Sequence, residues 1–152
     1  MIKIKKYIIF ILMSILIFGC SGKFDYIIKE NPVRPKISED KALVFILRPS
    51  FIGFMVPFRV YLDNKPIGLT KGKTYFFFYA SAGKHILKTV AGNTTEIELT
   101  LVSGKKYYIK QNIILDKIAP KNNAVLISEE EGEEIIKSTK MLFFIKLPNI
   151  IK

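Results

Sequence analysis

Residues 41–79 read KALVFILRPSFIGFMVPFRVYLDNKPIGLTKGKTYFFFY. Short runs of β-branched and aromatic residues alternate here with turn chemistry at intervals of about ten residues, the pattern of an antiparallel sandwich or barrel. Residues 42–48 (ALVFILR) are almost continuously apolar and stop at Arg48-Pro49, which predicts a central strand covered on both faces. Residues 57–62 (PFRVYL) alternate, with Phe58, Val60 and Leu62 on one side and Arg59 and Tyr61 on the other, which predicts a half-buried strand. Asp63-Asn64-Lys65-Pro66 supplies residues that tolerate a tight turn, so residues 67–70 should return beside the preceding strand as a hairpin.

The same rhythm continues downstream. Strands are expected over 74–79 (TYFFFY), 85–90 (HILKTV), 96–102 (EIELTLV), 107–115 (YYIKQNIIL) and 124–127, separated by Gly-, Ser-, Asn- and Lys-bearing turns, for seven or eight in all and without an internal sequence repeat. Ser128 stands three residues before Glu131, the spacing of a capping box. A helix over 129–140 follows, its first-turn acids opposing the positive end of the helix dipole, despite Gly132, which costs about 1 kcal/mol against alanine. Residues 141–147 (MLFFIKL) are too apolar to be left in water and should pair as a last strand or pack on the sheet. The fold class read from this pattern is all-β: a small antiparallel β-sandwich, immunoglobulin-like or similar, with an N-terminal signal helix and one short C-terminal helix.

The amino terminus carries a different message. Residues 1–6 (MIKIKK) hold three lysines, and residues 7–18 (YIIFILMSILIF) are uncharged and broken only by Ser14. This run is shorter than the roughly 20 residues of a spanning helix and matches the apolar region of an export signal. Ile17-Phe18-Gly19-Cys20-Ser21 then places a small residue before the only cysteine. That motif resembles a bacterial lipobox. The resemblance implies cleavage between Gly19 and Cys20, with a diacylglyceryl group on the Cys20 thiol and further fatty acid, palmitate or similar, on the new amino terminus. Two or three chains hold a protein stably where one does not. Ser21 in place of aspartate implies the outer membrane, facing the periplasm, in a diderm cell, and otherwise the outer face of the cytoplasmic membrane. The chain thus divides into a signal peptide (1–19), a lipidated tether and spacer (20–40) and a β-sandwich domain (41–152). The spacer contains Pro32 and Pro35, and its apolar patch at 26–28 can dock on the body.

Composition narrows the functions. In 152 residues there are one cysteine, one histidine and no tryptophan, which excludes an internal disulfide and a multi-His or Cys metal site. No cofactor or metal is expected. The net charge of +11 falls to +8 when the three leader lysines are removed. For an exported protein the available counter-charge is anionic lipid or an envelope polymer, and no nucleic-acid motif occurs among the lysines. His85 borders a turn without a nucleophile or orienting acid nearby in sequence, so it reads as a strand-end side chain rather than a base. The acids Glu129, Glu130, Glu131, Glu133 and Glu134 lack the spacing of a calcium loop and read as a solvated helix start. Tyr79 and Tyr107 are candidates for an aromatic ligand face, with core packing as the competing reading.

Several motifs taken together carry a resemblance: Arg48-Pro49 after the first strand, the 60–68 hairpin, Tyr75 opening the aromatic strand, Gly83-Lys84-His85 at the next turn and Gly104-Lys105-Lys106-Tyr107-Tyr108 at a later one. Over about residues 41–115 the chain resembles a bacterial lipoprotein family catalogued as domain of unknown function 2846. The resemblance implies a small β-sandwich like other carbohydrate- or surface-associated envelope modules, and no reaction. The expectation is therefore a membrane-anchored lipoprotein, not an enzyme, that serves as a binding or structural module in the cell envelope, with an envelope protein, glycan or anionic lipid as partner. Two alternatives stay open: a glycan- or peptide-binding surface protein using an aromatic face, and an envelope hydrolase.

Overall fold

The computed structural model describes residues 26–29, 35–115, 121–138 and 141–146, the strands at 26–29 and 142–146 through their backbone alone. The expected signal helix, Gly19 and Cys20 lie outside the described residues, among which no helix is long and apolar enough to cross a membrane. The described elements are β1 (Tyr26–Lys29), β2 (Ala42–Arg48), β3 (Phe58–Leu62), β4 (Lys65–Thr70), β5 (Thr74–Ala80), β6 (Gly83–Ala91), β7 (Asn93–Leu101), β8 (Lys106–Ile114), β9 (Lys121–Ile127), α1 (Glu129–Ser138) and β10 (Leu142–Lys146). A six-stranded sheet runs β1-β10-β5-β2-β8-β9, and a four-stranded sheet runs β4-β3-β6-β7.

β2 is central, as its unbroken apolar run requires, and all seven of its residues are buried. Strand alternation sends Ala42, Val44 and Ile46 toward the second sheet, into a core they share with Phe76 and Ile109 of their own sheet and Val60, Leu87, Leu99 and Leu101 of the other. Leu43, Phe45 and Leu47 point the other way, into a smaller core with Tyr75, Tyr108 and Met141 that α1 covers through Ile135 and Ile136. Phe45 stacks on Tyr108 with ring centroids 4.7 Å apart. Gly132 is what lets the helix come this close. A Cβ there would overlap Tyr108 Cδ1 and Cγ and lie 2.8 Å from Tyr108 Cβ, so the residue that weakens the helix in isolation is the one its packing demands. Ser128 Oγ accepts from Glu131 N at 3.1 Å, one half of the expected capping box. The Glu131 carboxylate turns instead to Lys110 Nζ at 2.9 Å.

The all-β sandwich with one short C-terminal helix is the observed architecture, with additions that local pattern did not specify. β2–β8 and β10–β5 are parallel pairs in a sheet otherwise antiparallel, because β8 returns from the second sheet and β10 follows the helix crossover. The apolar patch of the spacer docks as β1 on β10, which itself forms from the expected last apolar run. The sandwich is closed along β9 and β7 by Asn122 and Asn93. Asn122 N donates to Asn93 Oδ1 at 2.7 Å, and Asn122 Nδ2 donates to Asn93 O at 2.8 Å.

Strand register sorts the connections to two ends. Arg48 is level with Thr74, Phe58 with Thr70, Arg59 with Val90 and Ile114 with Lys121. Loop 49–57, turn 71–73, the β6–β7 turn and the paired ends of β8 and β9 therefore gather at one end. Turn 63–64 lies at the other, with Asp63 and Asn64 at φ of 49° and 64°, the backbone of a two-residue hairpin.

Candidate docking surface at the Arg48 end

Arg48 continues the even-numbered face of β2, so its side chain enters the space between the sheets instead of solvent. It is 0% exposed, and among the described residues no carboxylate pairs with it. The charge is met by carbonyl groups: Nη1 donates to Val56 O at 2.6 Å and Thr70 O at 3.5 Å, and Nη2 to Gly53 O at 2.8 Å and Ile52 O at 3.4 Å. Its Cζ sits 3.8 Å above the Phe58 ring centroid, a cation–π contact in a dry setting. Burial lowers its pKa to about 10, which leaves it charged at neutral pH. Beside it Thr70 Oγ1 donates to Gln111 Oε1 at 2.5 Å. Arg48 Nε and Gln111 Nε2 are buried without a hydrogen-bond partner among the described residues.

This cation folds loop 49–57 over the end of the sandwich. Its forked donors hold the carbonyls of Ile52, Gly53 and Val56 inward, so the side chains between them are turned out. Gly53 at φ +63° supplies the reversal. Turn 71–73 holds the loop from the other side: Lys73 N donates to Ser50 O at 3.2 Å and Gly72 N to Phe54 O at 3.5 Å. A Cβ on Gly72 would fall 2.7 Å from Phe54 Cβ, so that approach needs glycine. The result is a tip of Phe51, Ile52, Phe54, Met55 and Val56, all exposed, with Met55 at 75%. The rings of Phe51 and Phe54 stack at 4.8 Å. Ile114 and Leu115 add exposed apolar surface at the same end. Scattered exposed hydrophobic residues are ordinary, whereas a contiguous patch on one loop marks a contact surface.

Charge is arranged around this tip. Arg59, Lys73 and Lys121 are exposed and Lys71 half-buried at this end. Among the described residues, the segments that build it, 48–59, 69–75, 89–95, 110–115 and 121–124, contain no Asp or Glu, and the stretch between 115 and 121 carries one acid, Asp116, beside Lys117.

The residues singled out from sequence lie elsewhere. Tyr79 belongs to the α1 side of the six-stranded sheet, where it is opposite Leu43. Its hydroxyl donates to Lys36 O at 2.6 Å, above an open depression lined by Ile37, Ser38 and Asp40. Tyr107, level with Val44, is on the opposite face, and its hydroxyl accepts from Val102 N at 3.0 Å. The two rings do not share a surface. His85 is at the Asp63 end, where β3–β6 pairing brings in the acid that sequence proximity did not show. His85 Nδ1 is 2.7 Å from Asp63 Oδ2 and Nε2 is 3.0 Å from Ser81 O, so both nitrogens face acceptors inside a turn. Asp63 also accepts from Ile86 N at 2.9 Å. That backbone bond, and then the one to His85, hold its carboxyl below the usual carboxylate range. Three acids of α1 face lysines: Lys106 Nζ donates to Glu129 at 2.7 Å and lies 3.6 Å from Glu133, Lys110 reaches Glu131, and Glu133 also accepts from Tyr108 Oη at 2.7 Å. Sequence reading passed over loop 49–57. Its signal was an apolar run, FIGFMV, bracketed by Pro49 and Pro57 and therefore barred from being an inner strand.

Comparison with known proteins adds family but not activity. The family described as "Protein of unknown function (DUF2846)" matches residues 38–124, a stretch that includes Arg48, the loop, Asp63 and His85. A protein of Haemophilus influenzae described as uncharacterized is 30% identical over 99 residues, which cover 64% of this chain and 59% of that protein. The match thus spans less than two thirds of that relative. No solved structure matches.

Proposed function

This chain belongs to the family of proteins of unknown function DUF2846, and from that premise we propose that it is a membrane-anchored lipoprotein of the bacterial envelope whose β-sandwich binds rather than catalyses. A lipid on Cys20 tethers it, at the outer membrane facing the periplasm in a diderm cell and otherwise on the outer face of the cytoplasmic membrane. The tether reading is supported by the basic start, the short apolar run and the small residue before Cys20. The observation that carries the binding reading is the five-residue apolar tip held outward by buried Arg48. A merely structural body would turn those side chains inward. Hydrolysis by His85 is disfavoured because both ring nitrogens are occupied, one by Asp63 and the other by a backbone carbonyl in place of a nucleophile. An aromatic sugar platform formed by Tyr79 and Tyr107 together is disfavoured by their opposite faces.

Full-length protein produced in a diderm host tests the tether. Intact-mass and peptide analysis should find residue 20 as the mature amino terminus bearing acyl groups, with the protein in the membrane fraction. Cys20→Ala should leave the leader uncleaved and remove the acyl mass. Wild-type protein dissolved in cytosol with its leader intact and its thiol free would overturn the proposal.

A further inference from the structure

We infer that the 51–56 tip is a lipid-entering loop, and that its partner is a bilayer surface bearing anionic headgroups. The inference rests on the envelope reading for access to lipid, and its own content is carried by the loop. A backbone entering hydrocarbon must have its polar groups satisfied from within, because lipid offers them nothing. Five of the seven carbonyls of residues 50–56 are so satisfied: Ser50 by Lys73 N, Phe54 by Gly72 N, and Ile52, Gly53 and Val56 by Arg48. Of the six N–H groups of residues 51–56, two are met in the same way among the described residues, Val56 N by Gly53 O at 2.9 Å and Ile52 N by Ser50 Oγ at 3.2 Å.

The side chains of residues 51–56, Phe, Ile, Gly, Phe, Met and Val, carry no hydrogen-bonding N–H or O–H group. A protein partner is recognised through about one hydrogen bond per 100–200 Å² of interface, and this tip offers no side-chain donor for one. A fluid apolar phase asks for none. The surrounding cations supply the second observation. Arg59 and Lys73, both exposed, flank the tip, and no Asp or Glu occurs among the described residues of the segments that build it, so the two cations can meet phosphate oxygens while the apolar side chains pass between headgroups.

The tether permits this placement. Tyr26 is level with Lys146, and the β10–β5 register, extended, sets Lys146 beside Phe78. That is four residues from Thr74, about 13 Å along the strand. The six residue steps from Cys20 to Tyr26 reach at most about 20 Å, enough to return the acylated cysteine to the level of Thr74, the strand end from which the tip projects. The tether would then keep the tip at high effective concentration beside the bilayer.

Because the chain has no tryptophan, Phe54→Trp is a unique reporter of the tip, and Met55→Trp, at a more exposed position, is a second should the first unfold the domain. The lipidated protein is reconstituted in vesicles of phosphatidylcholine alone or mixed with phosphatidylglycerol, with and without brominated acyl chains. The expected result is blue-shifted emission quenched by bromine in the mixed vesicles and only weakly in phosphatidylcholine. Arg59→Gln with Lys73→Gln should lower the inserted-to-free ratio by about twenty-five-fold, at about fivefold per cation.

Water-like, unquenched emission on protein that floats with the vesicles overturns the inference and leaves the tether reading standing. Equal quenching without anionic lipid overturns the choice of an anionic surface. A blue shift without bromine quenching identifies a protein contact, such as a second copy, and overturns it as well. Protein with an unmodified Cys20 overturns the tether alone, since the tip reporter still responds to added vesicles.

Discussion

Replacing Arg48 with methionine isolates the work of the buried cation, because methionine keeps most of the stem and removes the fork. Lost are two short charge-assisted bonds, to Val56 O at 2.6 Å and Gly53 O at 2.8 Å, each worth about 1.5–3 kcal/mol. The stacking on Phe58 at 3.8 Å is lost too, worth about 0.5–2 kcal/mol. Against this stands relief from burying a charge: a pKa drawn down to about 10 by burial corresponds to about 3 kcal/mol. The remainder is centred near ~3 kcal/mol of destabilisation. For a domain of this size that is a fall in melting temperature of about 10 °C, as each kcal/mol moves it by a few degrees. The loss should be concentrated in loop 49–57, since the carbonyls of Ile52 and Val56 are held there by the Arg48 fork. Urea denaturation gives the first quantity, and chymotryptic cleavage after Phe51 and Phe54, under conditions where the body stays folded, gives the second. Buried ion sites are sometimes replaced by apolar side chains with a gain in stability. An Arg48→Met protein as stable as the parent, with the loop equally resistant to cleavage, would refute the assignment of Arg48 as the support of the tip.

Two other substitutions test the body of the fold. Gly132→Ala, which favours an isolated helix by about 1 kcal/mol, should instead destabilise this domain in urea melts by about 2 kcal/mol, within the range of about 1–3 kcal/mol that overpacking costs. The added methyl runs into Tyr108 Cδ1, Cγ and Cβ, and a stabilised variant would contradict the helix placement. Asp63, whose carboxyl is held below its ordinary value by the Ile86 amide and His85, contributes stability that is present above the unfolded carboxyl pKa of about 3.9 and is lost as pH falls through the folded value. Asp63→Asn should therefore flatten the acid limb of a stability-against-pH curve below about pH 4, and an unchanged limb would count against the pair.

How much of the fold was legible follows from the range of the forces involved. The β2 run, the 63–64 turn and the capping serine announce themselves because strand burial, hairpin backbone and helix ends depend on residues a few positions apart. Gly132 shows the limit: by propensity it is a defect in α1, and only the ring of Tyr108, 24 positions earlier, turns it into a requirement. The Asp63–His85 pair was hidden for the same reason, since 22 residues separate partners that β3–β6 register brings into contact. Tyr79 and Tyr107 looked alike as exposed aromatic candidates until register on β2 placed them on opposite faces.

From its residues alone the chain declares an all-β body and a family, because these depend on composition, short-range periodicity and motif. The direction of β8 and β10, the docking of β1, and above all the inversion at Arg48, where a charged side chain goes inside and the apolar side chains of the following loop go outside, were decided by tertiary structure. The physical reason is that a guanidinium can be buried only where several carbonyls converge on it, and such convergence requires a loop, a neighbouring strand and an aromatic ring that are distant in sequence and adjacent only once the sheets have closed.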